Sequence, residues 1–270
     1  MKYVLSKMKT TWKDGEPVSY SLKGETASLS MNPLIGQQLT IKSSGQILCL
    51  SCGKKTKKSF QQGFCFPCSR KLASCDMCIV RPELCHFAKG TCREPEWGQA
   101  NCMIPHTLYL ANSSGLKVGI TRTHQRLTRW IDQGAIEAIP VINLNTRLAI
   151  GELESHFKSH FADKTNWRNM LKGDVPTINL EDERKRALAL LPEGIGTGLS
   201  DARVTINYPV LEHPKKIVSL NLEKTPLIEG TLLGIKGQYL IFDTGVINIR
   251  SFSGYEVELS SATTALAFVI

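Results

Sequence analysis

Apolar residues change their spacing several times along the chain. Over residues 1–48 they alternate, weakly in Pro17–Leu22 and again in Leu34–Ile41 before the turn signal Ser43-Ser44-Gly45, which predicts short strands. Residues 49–106 show little periodicity and many Gly, Lys and Ser, so that stretch cannot bury an ordinary core. Thr107–Ala111 and Leu116–Ile120 then read as strands joined by the tight turn Asn112–Gly115, a hairpin. Thr123 as N-cap and Gly134 as the stop bracket a helix over His124–Gln133, with Leu127, Trp130 and Ile131 at helical spacing. Ala135–Leu144 reads as a third strand, and Thr146 opens a helix running to about Phe161. Residues 177–191 predict one more helix, capped by Asn179 and ended by Pro192 and Gly194. Strand patterns return at Arg203–Tyr208, Ile217–Leu222, Ile228–Ile235, Tyr239–Asp243, Val246–Arg250 and Tyr255–Leu259.

This order predicts an α+β protein. A small α/β domain occupies 107–172, preceded by an inserted cysteine-rich segment at 49–106 and followed by a linker helix and loop at 173–202. The N-terminal strands (1–48) are too few to stand alone, so they are expected to join the C-terminal strands (203–270) in a small β-barrel or sandwich. No window approaches 18 consecutive apolar residues, and Met1–Lys9 has no apolar core of signal-peptide length. The expectation is a cytoplasmic protein without a membrane partner. Gly194–Gly198 superficially looks like a phosphate loop, but it follows a helix and lacks the lysine.

All nine cysteines lie between Cys49 and Cys102, which points to metal ligands rather than a disulfide framework. Cys49-x-x-Cys52 and Cys65-x-x-Cys68 are two matched pairs with twelve residues between them, and Gly53 suits the left-handed position of a metal knuckle. A structural zinc ribbon is expected there. The second group, Cys75, Cys78, Cys85, His86, Cys92, Cys102 and His106, exceeds one tetrahedral site. Cys75, Cys78, Cys92 and Cys102 are expected to hold a second zinc, with an iron–sulfur cluster on four of the five cysteines as the alternative. Gly90–Gly98 reads as an aperiodic loop packed around this metal.

The formal charge of +9 suits a polyanionic partner such as DNA or RNA. One zinc on four thiolates adds −4 and +2 and lowers it to +7; two such sites lower it to +5. Lys54, Lys55, Lys57 and Lys58 lie between the first two cysteine pairs, either as a phosphate-contacting tip or as a solvated loop.

On the helix from Thr146, Ile150, Leu153, Phe157 and Phe161 form one apolar stripe. Glu154 falls within it, while Glu152 points away. A carboxylate there needs a partner: a salt bridge at the stripe's edge, or a metal. Tyr109 and Lys117 sit on the hairpin, and Arg122, Arg126 and Arg129 follow closely. A phenol, an ammonium, guanidinium groups and one carboxylate suit phosphodiester cleavage, with the cations on the phosphate and the carboxylate on magnesium.

The order Leu108-Tyr109, Lys117-Val118-Gly119-x-Thr121, Arg126-Leu127 and Glu154-x-x-Phe157-x-x-x-Phe161 resembles the GIY-YIG nuclease domain, in the variant whose second motif begins with Lys. The resemblance implies that Tyr109 acts near the scissile phosphate, Arg126 stabilises it, and Glu154 binds magnesium or manganese, with Lys117 in the place of a second tyrosine. It covers about 60 of 270 residues. Over nearly its full length the chain also resembles an uncharacterised bacterial domain family. That likeness rests on Cys49-x-x-Cys52-Gly53, Cys75-Asp76-x-Cys78, Gly90–Pro95, Lys117–Arg122, Arg129–Ala135, Asp163–Arg168 and Gly234–Tyr239.

The function expected from these features is a metal-dependent endonuclease or phosphodiesterase acting through Tyr109, Lys117, Arg126 and Glu154. The alternatives are a non-catalytic, zinc-containing nucleic-acid-binding protein and a metal-stabilised interaction protein. Candidate nucleic-acid contacts are Lys54, Lys55, Lys57, Lys58, Arg122, Arg129, Trp130, Asn166 and Arg168.

Overall fold

Leu39 and Ile41 are buried while Gln38 and Lys42 are exposed, and Ile228 and Leu232 repeat the period of two on the neighbouring strand. That alternation is what pairs these segments into a sheet with one face inward. The computed structural model describes residues 2–24, 27–261 and 268–269. The N-terminal strands are β1 (Lys2–Val4), β2 (Lys9–Thr11), β3 (Ser19–Lys23), β4 (Ser28–Ser30) and β5 (Gln38–Ile47). Helix α1 (Phe66–Lys71), several single 3-10 turns and α2 (Pro95–Cys102) follow. Next come β6 (His106–Asn112), β7 (Leu116–Arg122), α3 (Arg126–Asp132), β8 (Glu137–Leu144), α4 (Arg147–Phe157), α5 (Trp167–Lys172), α6 (Leu180–Ala189) and β9 (Val204–Thr205). The last strands are β10 (Leu227–Lys236), β11 (Tyr239–Phe242), β12 (Gly245–Asn248), β13 (Tyr255–Ser261) and β14 (Phe268–Val269).

The chain divides into two units. The first joins Met1–Ser69 to Asn207–Ile270. Its larger sheet is antiparallel in the order β1-β13-β5-β10-β11-β12, so N- and C-terminal strands interleave: Tyr3 faces Val257, and Ile41 faces Ile228. A second sheet runs β14-β4-β3-β2. Among the described residues neither sheet closes, which removes the barrel from the expected barrel or sandwich: β1 and β12 remain separate edges. Ile217–Leu222 also departs from its strand pattern, making only an isolated bridge at Ser219 with Val246. Pro33 turns Asn32–Leu34 into a 3-10 helix, so the strand expected from Leu34 starts at Gln38.

The second unit, Arg70–Ile206, is built on the antiparallel sheet β7-β6-β8-β9. Every residue of the central strand β6 is buried. Leu108, Leu110, Val118, Ile139, Val141 and Ile142 pack there against Ile150, Leu153, Phe157 and Phe161. Thr146 caps α4 by accepting the Ala149 N–H, and Asn179 caps α6. Thr123 does not cap α3; its hydroxyl donates to Asn143 Oδ1 at 3.4 Å, and a 3-10 turn precedes the helix instead. Three helices lie where the apolar pattern is silent, α1 among them. Pro95 begins α2 inside the expected loop, and Asn166 caps α5 by accepting from the N–H groups of Arg168 and Asn169. The helix expected to reach Phe161 ends at Phe157, yet Phe161 stays in the core and stacks on Phe157.

Candidate functional site

The turns after Leu48 and Gly63 bring the first two cysteine pairs together. Gly53 adopts φ +70°, and its N–H donates to the Cys49 carbonyl at 2.8 Å, which closes the first knuckle. Ser69 N–H closes the second on the Cys65 carbonyl at 2.9 Å. The sulfurs of Cys49, Cys52, Cys65 and Cys68 all lie within 4.8 Å of one another, with Cys52 and Cys65 3.8 Å apart. A tetrahedron with Zn–S bonds of about 2.3 Å has edges of about 3.8 Å, so this group could hold a zinc ion. Burial pushes the Cys49 thiol up, but N–H groups of Cys52, Cys65 and Ser51 outweigh it and bring the value down to about 6. Cys68 is pushed up to about 12, chiefly by the Cys65 sulfur.

Lys54, Lys55, Lys57 and Lys58, between the pairs, are all exposed. Lys58 Nζ sits 5.6 Å from the centre of the Phe60 ring, and Phe60 meets Phe66 edge-on at 5.5 Å. Phe66 is 58% exposed, an unusual position for a large aromatic.

In the second unit, Tyr109 is fully buried on β6. The Gln133 amide bridges it to α3: its nitrogen donates to the Tyr109 hydroxyl at 2.8 Å, and its oxygen accepts from Arg129 Nε at 3.2 Å and Nη2 at 3.1 Å. Trp130 packs edge-on to Tyr109 at 5.9 Å and is itself buried, so it is a core residue rather than a stacking surface. Burial pushes the Tyr109 phenol above its ordinary value, against the pull of the Arg129 charge. Lys117 is 4% exposed, and its Nζ reaches the Thr165 hydroxyl at 3.5 Å. Burial, reinforced by Arg129, brings the Lys117 ammonium down to about 8. The Glu154 side chain is 12% exposed and pairs with Lys158 at 3.7 Å. Burial pushes its carboxyl up, and Asp163 adds to this, while Lys158, Arg129 and Lys117 oppose it.

Tyr109, Lys117, Arg129 and Glu154 therefore share one polar cluster. Arg126 does not join them: its guanidinium pairs with Asp201 at 2.7 Å. The guanidinium beside the tyrosine is that of Arg129, one helical turn on. Arg122 donates to the Asn101 carbonyl at 2.9 Å and lies over the Trp97 ring, Asn166 serves as a helix cap, and Arg168 is exposed over Trp167. Gln133, Lys158, Asp163 and Thr165 complete the cluster. Gln133, Asp163 and Thr165 lie inside the Arg129–Ala135 and Asp163–Arg168 motifs, but nothing in their spacing assigned them to Tyr109 or Lys117.

The second cysteine group is arranged differently from its expected ligand set. Cys78, Cys85, Cys92 and Cys102 line one small cavity, together with Trp97 and Phe87. Cys75 is buried but does not line it. His106 is fully buried; its Nδ1–H donates to the Ile104 carbonyl at 2.7 Å, and burial brings its imidazole down to about 4, so it is neutral.

Among the described residues no helix is long and apolar enough to cross a membrane. A family model with the description "Protein of unknown function (DUF2797)" matches residues 36–257, well over half of the chain. Comparison with curated proteins and with solved structures returns no match.

Proposed function

The chain belongs to the DUF2797 family, whose description assigns no activity, and from its own residues we propose that it is a zinc-containing nucleic-acid-binding protein. The contact surface is the tip between Cys52 and Cys65, read as a zinc ribbon. One observation carries the reading: four exposed lysines stand on a lobe that also exposes Phe66. Lysines neutralise phosphates without regard to sequence, and an exposed ring next to them offers a base a stacking face. The formal charge, +7 with one zinc on four thiolates, agrees.

A second reading, a nuclease of GIY-YIG type, is favoured by Glu154, a carboxylate held on an apolar stripe beside Lys117 and Arg129. The strand–strand–helix–strand–helix order of β6 to α4 also suits it. Against it stand the complete burial of Tyr109 and the burial of Lys117, which leave a phosphodiester no approach without opening of the cluster. Labelled DNA and RNA incubated with the protein in magnesium or manganese separate the two. Binding without cleavage, unchanged in Glu154→Gln, is the expected outcome. Cleavage that Glu154→Gln abolishes would establish the second reading in its place.

A further inference from the structure

We infer that Cys78, Cys85, Cys92 and Cys102 hold a four-iron iron–sulfur cluster, and that Cys75 is not a ligand. Cys78 lies in a 3-10 turn, Cys85 just after another, Cys92 in a loop and Cys102 at the end of α2, yet all four line one cavity. Cys78, Cys85 and Cys102 form the centre of the local apolar cluster, with Phe87, Trp97 and Leu148 packed around them. A segment whose core is made of thiols has little to fold around until a metal joins them.

The other groups at this place are already committed. Asp76 and His86, together with Cys78, lie close enough to suggest a single-ion site. But Asp76 accepts from Arg93 Nε at 2.7 Å and from the Met77 N–H at 2.6 Å. The His86 ring lies 3.4 Å from Asp76 through Nε2 and 2.7 Å from the Thr91 hydroxyl through Nδ1. These contacts form a hydrogen-bonded buttress and leave the thiols as the ligands.

Gly98 fixes the fourth corner. A Cβ there would lie 2.9 Å from Cys92 Sγ and 2.7 Å from Phe87 Cδ2, so only glycine lets the Cys92 sulfur approach α2. Arg147 ties the Cys78 turn to α4 by donating to the Cys78 carbonyl at 3.1 Å and the Ile79 carbonyl at 2.6 Å. Its guanidinium supplies positive charge next to what becomes a net-negative centre on four thiolates.

Spacing favours a cluster over a single ion. Among the described residues, the four-thiol group whose sulfurs converge within 4.8 Å is the first one, which has the reach of a single tetrahedral ion. The thiols of Cys85, Cys92 and Cys102 line a shared cavity without belonging to any set so tight. A cubane with iron at each corner spreads its four thiolates farther apart than one zinc does, and this arrangement suits it. Each thiol gives up its proton as its sulfur bonds to an iron of the cluster. Two ferrous and two ferric ions with four sulfides supply the core without further electron transfer.

The full chain, purified without oxygen and reconstituted with equal ferrous and ferric iron and sulfide, tests this. The expected result is about four iron and four acid-labile sulfides per chain, with the visible absorption of a thiolate-bound cluster. Cys85→Ser and Cys102→Ser should lose iron and colour, and Cys75→Ser should keep both. Differential alkylation of the wild-type protein before and after iron chelation needs no variant: Cys78, Cys85, Cys92 and Cys102 should become reactive together. Zinc bound at this group with no iron or sulfide after reconstitution would overturn the cluster. Loss of iron in Cys75→Ser, or exposure of Cys75 in place of Cys85 on chelation, would overturn the ligand set.

Discussion

Gly119 on β7 stands directly across from Tyr109 on β6, and the Tyr109 hydroxyl fills the space its missing side chain leaves. A Cβ at Gly119 would lie 2.7 Å from that oxygen and 2.8 Å from the ring carbon that bears it. The strand pairing, the ring position and the Gln133 bridge thus depend on one glycine. Gly119→Ala should cost about 1–3 kcal/mol, as overpacking in a tight core does, read as a lowered urea midpoint. An unchanged midpoint would mean that Tyr109 is free to move aside.

Arg129 and Arg126 are one helical turn apart and should behave differently. Arg129→Ala strands the Gln133 oxygen inside the cluster and should cost about 1–3 kcal/mol. Arg126→Ala breaks a pair with the more exposed Asp201 and should cost at most about 1 kcal/mol. Thermal melting of the two variants side by side checks the order; a larger loss for Arg126→Ala would contradict this geometry.

Lys117 sets a pH dependence. Its folded-state value of about 8 lies below its ordinary 10.5, so the unfolded chain binds the proton more tightly. The charged lysine therefore penalises the fold fully below pH 8, and the penalty fades as pH rises to 10.5. Lys117→Met should be more stable than wild type at pH 7, by on the order of 3 kcal/mol at most. That gap should close by pH 10.5. A gap that stays constant in denaturation curves from pH 7 to 10.5 would show that Lys117 is not held against its charge.

Glu154 carries the same logic with opposite sign. Its raised carboxyl value means that ionisation penalises the fold, and the penalty is absent below its ordinary 4.5. Glu154→Gln should therefore melt at or above the wild-type temperature at pH 7, while exposed Glu152→Gln should leave it unchanged. A clear drop for Glu154→Gln would mark its pair with Lys158 as stabilising.

Much of this was legible in the sequence because it is local. The hairpin β6–β7, the Thr146 and Asn179 caps, the apolar stripe of α4 and the converging Cys49, Cys52, Cys65 and Cys68 all follow from spacing within about twenty residues. What was not legible depends on distant partners. That N- and C-terminal strands join was expected, but their order, with β13 between β1 and β5, is a tertiary choice, and so are the open sheet edges. Choosing Arg129 over Arg126 needed the direction of each side chain on a short helix whose start the pattern misplaced. That Cys85 lines the cavity of the second cysteine group and Cys75 does not depends on the path of a segment of single turns that has no periodicity to read.

The most direct test of nucleic-acid binding is the salt dependence of affinity for a labelled duplex, compared between wild type and a variant with Lys54, Lys55, Lys57 and Lys58 all changed to Gln. Each lysine on a phosphate contributes about 0.9 to the slope of log affinity against log salt. With melting temperature and zinc content matched, the variant's slope should be shallower by about 3–4, with the two affinities converging as salt rises. Equal slopes and equal affinities would contradict the account.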